Sequence, residues 1–205
     1  MHPNPAFRQV ETARNLAFAC EAGFGVLTLA GDDGPLISHV PFTLDEAGAV
    51  LSAHVVRSNP IWRRLREGEA EAAMIVSGPH SYISPDWYGA DDQVPTWNYV
   101  AVHLRGVLRL LDQERLRGAL DALSARFEAD LAPKPPWTSA KMDRDALAKM
   151  ERMIVPIEMT VRDVQGTWKL SQNKPAEVRA AAVEGLGAPG AGMEIERLRA
   201  LMREV

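Results

Sequence analysis

Two short stretches of this chain mass hydrogen-bond donors. The first, HVVRSNP at 54–60, puts Arg57, Ser58 and Asn59 where an apolar strand-like run gives way to a helix-like one. A guanidinium, a hydroxyl and the free backbone N–H groups of a helix start together make a cradle for a phosphate. The plainer reading is an N-cap beside a surface arginine. The second stretch, KLSQNK at 169–174, brings Lys169, Ser171, Gln172, Asn173 and Lys174 directly after Trp168. Its plainer reading is a polar loop that enters a helix at Pro175. A third segment, HSYISPDWYGADDQVPTWNYVAVH at 80–103, holds all three tyrosines, two of five tryptophans and two of five histidines. A ligand with an apolar ring, polar edges and a phosphate tail would use all three kinds of residue.

Other chemistry is thinly represented. His39 and His54 fall on neighbouring strand-like runs, so a cross-strand pair is expected. Without a third ligand at close spacing they make no metal site, and none is assigned. Cys20 is the one cysteine; it rules out an internal disulfide, and its place between Ala19 and Glu21 near Ala22 predicts a buried structural thiol. There is no G-x-S-x-G, no H-E-x-x-H and no Gly-rich phosphate fingerprint, so catalytic residues stay unassigned. Basic residues alternate with acidic ones, the formal net charge is −4, and no three-helix unit offers a recognition helix. Direct DNA binding is therefore disfavoured. No apolar run approaches the roughly 18 residues that would span a bilayer, and MHPNPAFRQVETARN has neither the basic nor the apolar region of a signal peptide. A cytoplasmic protein is expected.

The elements that must hold these residues follow from periodicity. The chain has 205 residues, of which 46% are hydrophobic and 24% charged, enough for one well-filled core. A helix is predicted over 7–22, with Phe7, Val10, Arg14, Ala17 and Phe18 on one face and Gly23 as its stop. Strand-like runs at 24–30, 35–44 and 48–56 are separated by GDDG and DEAG turns, which favour antiparallel hairpins. Ser58 or Asn59 caps a short helix opened by Pro60 and ended by Gly68. Strands are expected at 71–79 and 99–111. Asp112 then caps a helix lined by Leu116, Leu120, Leu123, Phe127 and Leu131. After the stiff APKPPW break come a helix near 143–152 and a strand over 153–166, whose Pro156 predicts an edge or bulge. Helices from 175 and from 193 flank a flexible joint, APGAG, at 188–192. Six or seven strands in one antiparallel meander, with helices around them, give an α+β, barrel-based fold.

Five motifs, SHVPF (38–42), HVVRSNPIW (54–62), GPHSYISPDWY (78–88), VPTWNYVAVH (94–103) and KLSQNK (169–174), together resemble the PaiB-like family of FMN-binding negative transcriptional regulators. The resemblance runs from about residue 7 to 186. It implies an antiparallel split β-barrel of the pyridoxamine-phosphate-oxidase type with flanking helices, a homodimer, and FMN at the subunit interface. It places Ile37, Ser38, His39 and Val40 along the isoalloxazine, Arg57, Ser58 and Asn59 at the phosphate, and Lys169, Ser171 and Gln172 as further polar contacts. His54 joins the cofactor-binding set. Trp87, Trp97, Asn98 and Tyr99 would close over the ring or cross to the second subunit. The resemblance also implies residues 1–187 as the FMN-binding domain and 188–205 as a helical tail. One departure is the acidic pair Asp91-Asp92 after the WY unit, where relatives often carry a basic residue. Two other functions stay open on such a barrel: a flavin-dependent oxidoreductase acting on a small molecule, and a haem-binding protein using His39, His54 or His103.

Overall fold

Alternation of apolar and polar residues dictates the strands, and the longest ones show it best. In TWNYVAVHLRGVLRL the inward set is Asn98, Val100, Val102, Leu104, Gly106 and Leu108, a period of two along a pleated chain. The computed structural model describes residues 2–187 and 192–205. Its elements are α1 (Thr12–Ala22), β1 (Phe24–Gly31), β2 (Gly34–Leu44), β3 (Val50–Val56), α2 (Pro60–Leu65), β4 (Ala70–Ile83), β5 (Thr96–Leu110), α3 (Leu116–Ala129), α4 (Arg144–Glu151), β6 (Ile154–Lys169), α5 (Ala176–Gly185), β7 (Gly192–Met193) and α6 (Ile195–Arg203).

The strand order is β1-β2-β3-β6-β5-β4-β7, and β1 also pairs with β4, so six strands close into a ring. This is an antiparallel split barrel with flanking helices. The single meander expected from the turns is corrected to two three-strand meanders, β1-β2-β3 and β4-β5-β6. The α2 connection carries the chain from β3 to a β4 that pairs with β1 (Val26 opposite Ile75), leaving β3 to pair with β6 (His54 opposite Pro156). Closure of this kind removes exposed strand edges.

The chain divides into two compact units: one of the segments up to Asn15, Val76–Val102 and from Gln165 onward, the other of Leu16–Ile75 and His103–Val164. The second unit buries Leu27, Phe42, Leu51, Met74, Leu104 and Ile157. At Gly106 the chains approach so closely that a Cβ would stand 1.9 Å from the Thr160 carbonyl oxygen, so only glycine fits. The first unit is built around Phe7, Val76, Tyr88, Trp168 and Leu170, with Leu198 and Met202 of α6 also buried. Its buried Asn15 accepts from the Trp168 indole N–H at 2.8 Å, and a Cβ on Gly166 would collide with that amide at 2.0 Å.

Several expectations need correction. The first helix starts at Thr12: Phe7 belongs to a separate 3-10 turn, Pro5–Phe7, in which the Asn4 carboxamide oxygen accepts from Ala6 N. The inward face of α1 carries Asn15, Phe18 and Ala19, whereas Arg14 and Ala17 are exposed. Cys20 is exposed, one position around the helix from buried Ala19. Pro156 is buried on β6, which lies between β3 and β5, and its carbonyl accepts from Leu111 N. Asp112 makes no side-chain cap bond and is followed by a 3-10 turn before α3. The joint expected at 188–192 lies, up to 191, outside the described residues.

Candidate functional site

The predicted ligand-binding residues fall into two groups, each internal to one unit. In the second unit, alternation along β2 exposes Ile37 and His39 and turns Val40 into the core. The His39 ring lies over Phe24, with centroids 6.4 Å apart and planes at 30°. Ser38 is half-buried, and its Oγ accepts from Asn59 Nδ2 at 3.0 Å. The other end of the Asn59 amide caps α2, accepting from Ile61 N at 2.9 Å. One side chain thus fastens the middle of β2 to the start of α2, which explains the asparagine ahead of Pro60.

Arg57 is held on two sides. Its Nε donates to the Arg152 carbonyl at 2.8 Å and its Nη2 to Gln113 Oε1 at 2.7 Å. Gln113 is itself anchored, its amide donating to the Glu151 and Ile154 carbonyls. The guanidinium also stands 5.8 Å from the Trp62 ring centre. These acceptors leave one face of the fork for an external anion while fixing its direction, a pre-organised arrangement suited to a phosphate. Ser58 beside it is exposed. His54 lies half-buried opposite Pro156, and burial pulls its pKa below the usual histidine value. The expected His39–His54 pair does not form: the β2–β3 ladder runs only from Phe42–Ala53 to Leu44–Leu51, and His39 sits opposite Val26. Among the described residues no cluster of three or more His, Cys, Asp or Glu could hold a metal ion.

The first-unit group is organised from inside. Asn98 occupies a core position of β5 and is fully buried. Its Nδ2 donates to Ser171 Oγ at 2.9 Å and meets Met202 Sδ at 3.4 Å, while its Oδ1 has no partner. Ser171 Oγ also shares a 3.2 Å bond with the Tyr88 hydroxyl. Burial raises the Tyr88 pKa, partly offset by that bond. Gln172 is spent on the loop itself, accepting from Leu170 N and donating to the Trp168 and Ala6 carbonyls. Trp87 packs on α5, where a Cβ at Gly185 would lie 2.3 Å from its Cγ. Trp97 stays exposed, near the rings of His80 and Tyr82.

Above this network is a cavity of about 240 Å³ lined by His2, Asn4, Phe7, Tyr88, Val94, Thr96, Lys169, Ser171, Asn173 and Lys174. Lys169 donates to Thr96 Oγ1 and Lys174 to Gln93 Oε1, and Lys174 lies 4.5 Å over the Tyr88 ring. Burial, and then the charge of Lys174, hold the Lys169 pKa below the ordinary lysine range. Sequence reasoning missed His2 and Asn4, which give no local signal, and passed over Tyr88 and Thr96 as cavity walls. The strands expected at 71–79 and 99–111 reach further into the segment 80–103: β4 runs on to Ile83, and β5 begins at Thr96. A 3-10 turn, Pro85–Tyr88, lies between them.

Similarity to known proteins agrees with this barrel. Residues 1–163 match the family model described as "Putative FMN-binding domain". The chain is 30% identical over 173 residues to "Protease synthase and sporulation protein PAI 2" of Bacillus subtilis (strain 168), covering 83% of this chain and 82% of that one. It is 26% identical over 201 residues to an uncharacterized protein of Emericella nidulans, covering 78% and 80%. Among solved structures, an FAD and heme binding protein from Mycobacterium smegmatis matches with a TM-score of 0.59 at 19% identity, over 91% of this chain and 83% of that one. A conserved hypothetical protein from Mycobacterium tuberculosis matches with a TM-score of 0.57 at 14% identity, over 83% and 92%. At these identities the structural likenesses speak for the fold. Among the described residues no helix is long and apolar enough to cross a membrane. With the family model spanning residues 1–163 and the Bacillus subtilis relative at 30% identity, the chain belongs to the PaiB-like family of FMN-binding split-barrel proteins, and a flavin is its cofactor.

Proposed function

We propose that this chain is a cytoplasmic, homodimeric FMN-binding regulator whose flavin lies on the second unit, with its phosphate at Arg57 and Ser58. The ring would run along Ile37, Ser38 and His39. The observation that carries this reading is the Asn59 amide, which bonds Ser38 on β2 and caps α2 at once. It joins an exposed platform of Ile37, His39 and Phe24 to the fixed guanidinium of Arg57, so an apolar surface and an anion-binding fork belong to one rigid element pair. Ser38 Oγ, already accepting from Asn59, keeps its own hydrogen to donate to a ring edge. A bound flavin supplies hydride or single-electron transfer, while these residues bind and orient it.

Exposure of Phe24 at 53%, Ile37 at 59% and Met153 at 61% supports the dimer, because a second copy would cover apolar surface that a flavin alone leaves wet. The regulatory role rests on the family resemblance and on the sporulation function in the Bacillus subtilis relative's name. The mixed charge of the chain favours action through the flavin over reading of DNA. The purified protein is expected to show flavin absorption and to sediment as a dimer. Replacing Arg57 with alanine should weaken FMN by about tenfold, the low end for a charge-assisted hydrogen bond at an exposed site. Unchanged FMN affinity in that variant would move the phosphate elsewhere, and a monomer that retains flavin would remove the subunit interface from the site.

A further inference from the structure

The cavity of the first unit has chemistry of its own. Lys169 and Lys174 both line it, and each bonds a neutral oxygen, Thr96 Oγ1 or Gln93 Oε1. Among the described residues neither forms an ion pair with a carboxylate, and the like charge of Lys174 opposes that of Lys169. Two cations share one concavity and no carboxylate among the described residues pairs with either, an arrangement that an anion would relieve. An ammonium has three donors, so one bond to threonine or glutamine leaves others for a ligand.

We propose that this cavity binds the phosphate group of a small phosphate monoester, a molecule other than the flavin. Near neutral pH such a phosphate carries about −1.5 to −2 charges, which matches two ammoniums better than a monocarboxylate does. A space of about 240 Å³ is below the roughly 300 Å³ at which drug-sized pockets begin, so it suits a phosphate with a few carbons. Phe7 and Val94 offer apolar wall to those carbons, and Asn4 and Asn173 offer amides. The buried network below acts as a mount. Asn98 fixes Ser171, Ser171 fixes Tyr88, and the Tyr88 ring seats Lys174 at 4.5 Å. At the far wall the His2 pKa is lowered, first by desolvation and then by the charge of Lys169, as expected of an electropositive recess.

The test is a titration of the protein as purified with inorganic phosphate, followed by calorimetry. The expected result is one site per chain, with affinity reduced about tenfold in Lys169→Met and again in Lys174→Met, the loss of one charge-assisted contact each. Absence of saturable phosphate binding, or wild-type phosphate affinity in either variant, overturns the proposal. FMN and riboflavin affinities separate the two phosphate sources, since riboflavin lacks the phosphate. If the lysine variants weaken FMN but spare riboflavin, the lysines serve the flavin and the second ligand is refuted. Should the variants fold poorly, the wild-type protein still decides: phosphate should shield Lys169 and Lys174 from acetylation read by mass spectrometry, and equal labelling with and without phosphate refutes the site. A protein purified without flavin would undermine the flavin reading alone, and the phosphate titration is then read in Arg57→Ala, which removes the competing anion site.

Discussion

The two donor clusters, alike as strings of letters, differ in what holds their donors. Around Arg57 the donors are near the surface: Arg57 donates to the Arg152 carbonyl and the Gln113 amide oxygen, and Asn59 donates to Ser38 Oγ. Around Lys169 and Lys174 the supporting bonds run inward through Ser171 to a fully buried Asn98, and the cations face a cavity. The first arrangement positions a single fork on an open platform. The second stores polar groups in the core to shape a recess. Polar groups in low dielectric are worth more when satisfied and cost more when orphaned, so the two regions should respond differently to the same kind of substitution.

The largest difference is expected in stability. Asn98→Ala removes a buried side chain together with its bonds to Ser171 and Met202, for a loss of about 3 kcal/mol. For a chain of this size that lowers the thermal midpoint by roughly 6–12 °C. Ser38→Ala, at a half-buried position, should cost less than about 1 kcal/mol. Circular dichroism melts of the two variants measure the contrast, and equal midpoints would abolish it.

A smaller effect separates the clusters by ligand. Gln113 touches no proposed ligand but fixes the Arg57 fork through a 2.7 Å bond, so it is a positioning residue. Gln113→Ala should weaken FMN by about threefold, roughly the cost of freeing one side chain, while riboflavin binding stays constant. Gln113→Glu should not restore FMN, since a carboxylate cannot donate to the Glu151 and Ile154 carbonyls and its charge opposes the phosphate at Arg57. Fluorescence quenching titrations with both flavins give the result. A parallel loss of riboflavin would mean that Gln113 acts on the fold rather than on the phosphate end.

Much of the barrel was legible because it depends on short-range rules. The alternation of β1 to β3 and the Asn59-Pro60 helix start both lie within a few residues of their cause. What escaped depends on distant partners. Nothing near Pro156 shows that β6 will be an inner strand, because that follows from the pairing of β1 with β4. Cys20 and Ala19 are adjacent small residues, and only the direction of the α1 face distinguishes exposed from buried. The site divides in the same way. Arg57 could be named as a fork from its neighbours, but its holders, Arg152 and Gln113, are remote in sequence. Asn98 did leave a signal: it is a polar residue in register with Val100, Val102 and Leu104, a position that must be paid for by an internal partner.

The smallest expected effect is one of pH, and it belongs to the second unit. Burial lowers the His54 pKa below its ordinary value of about 6.5. The unfolded chain therefore binds a proton at a pH where the folded chain does not, and stability rises with pH across that interval. Stability from this group is fully present above about 6.5, declines as pH falls toward the folded pKa, and is flat below it. His2 and His103 are shifted in the same direction, so His54→Gln should remove only part of the slope. The measurement is the difference in thermal midpoint between wild type and variant from pH 5 to pH 8, which cancels the carboxylates common to both. The variant should gain relative to wild type as pH falls. A difference independent of pH would mean that the folded chain carries His54 with its ordinary affinity for a proton, and that this face of the barrel is wetter than the packing of β3 against β6 implies.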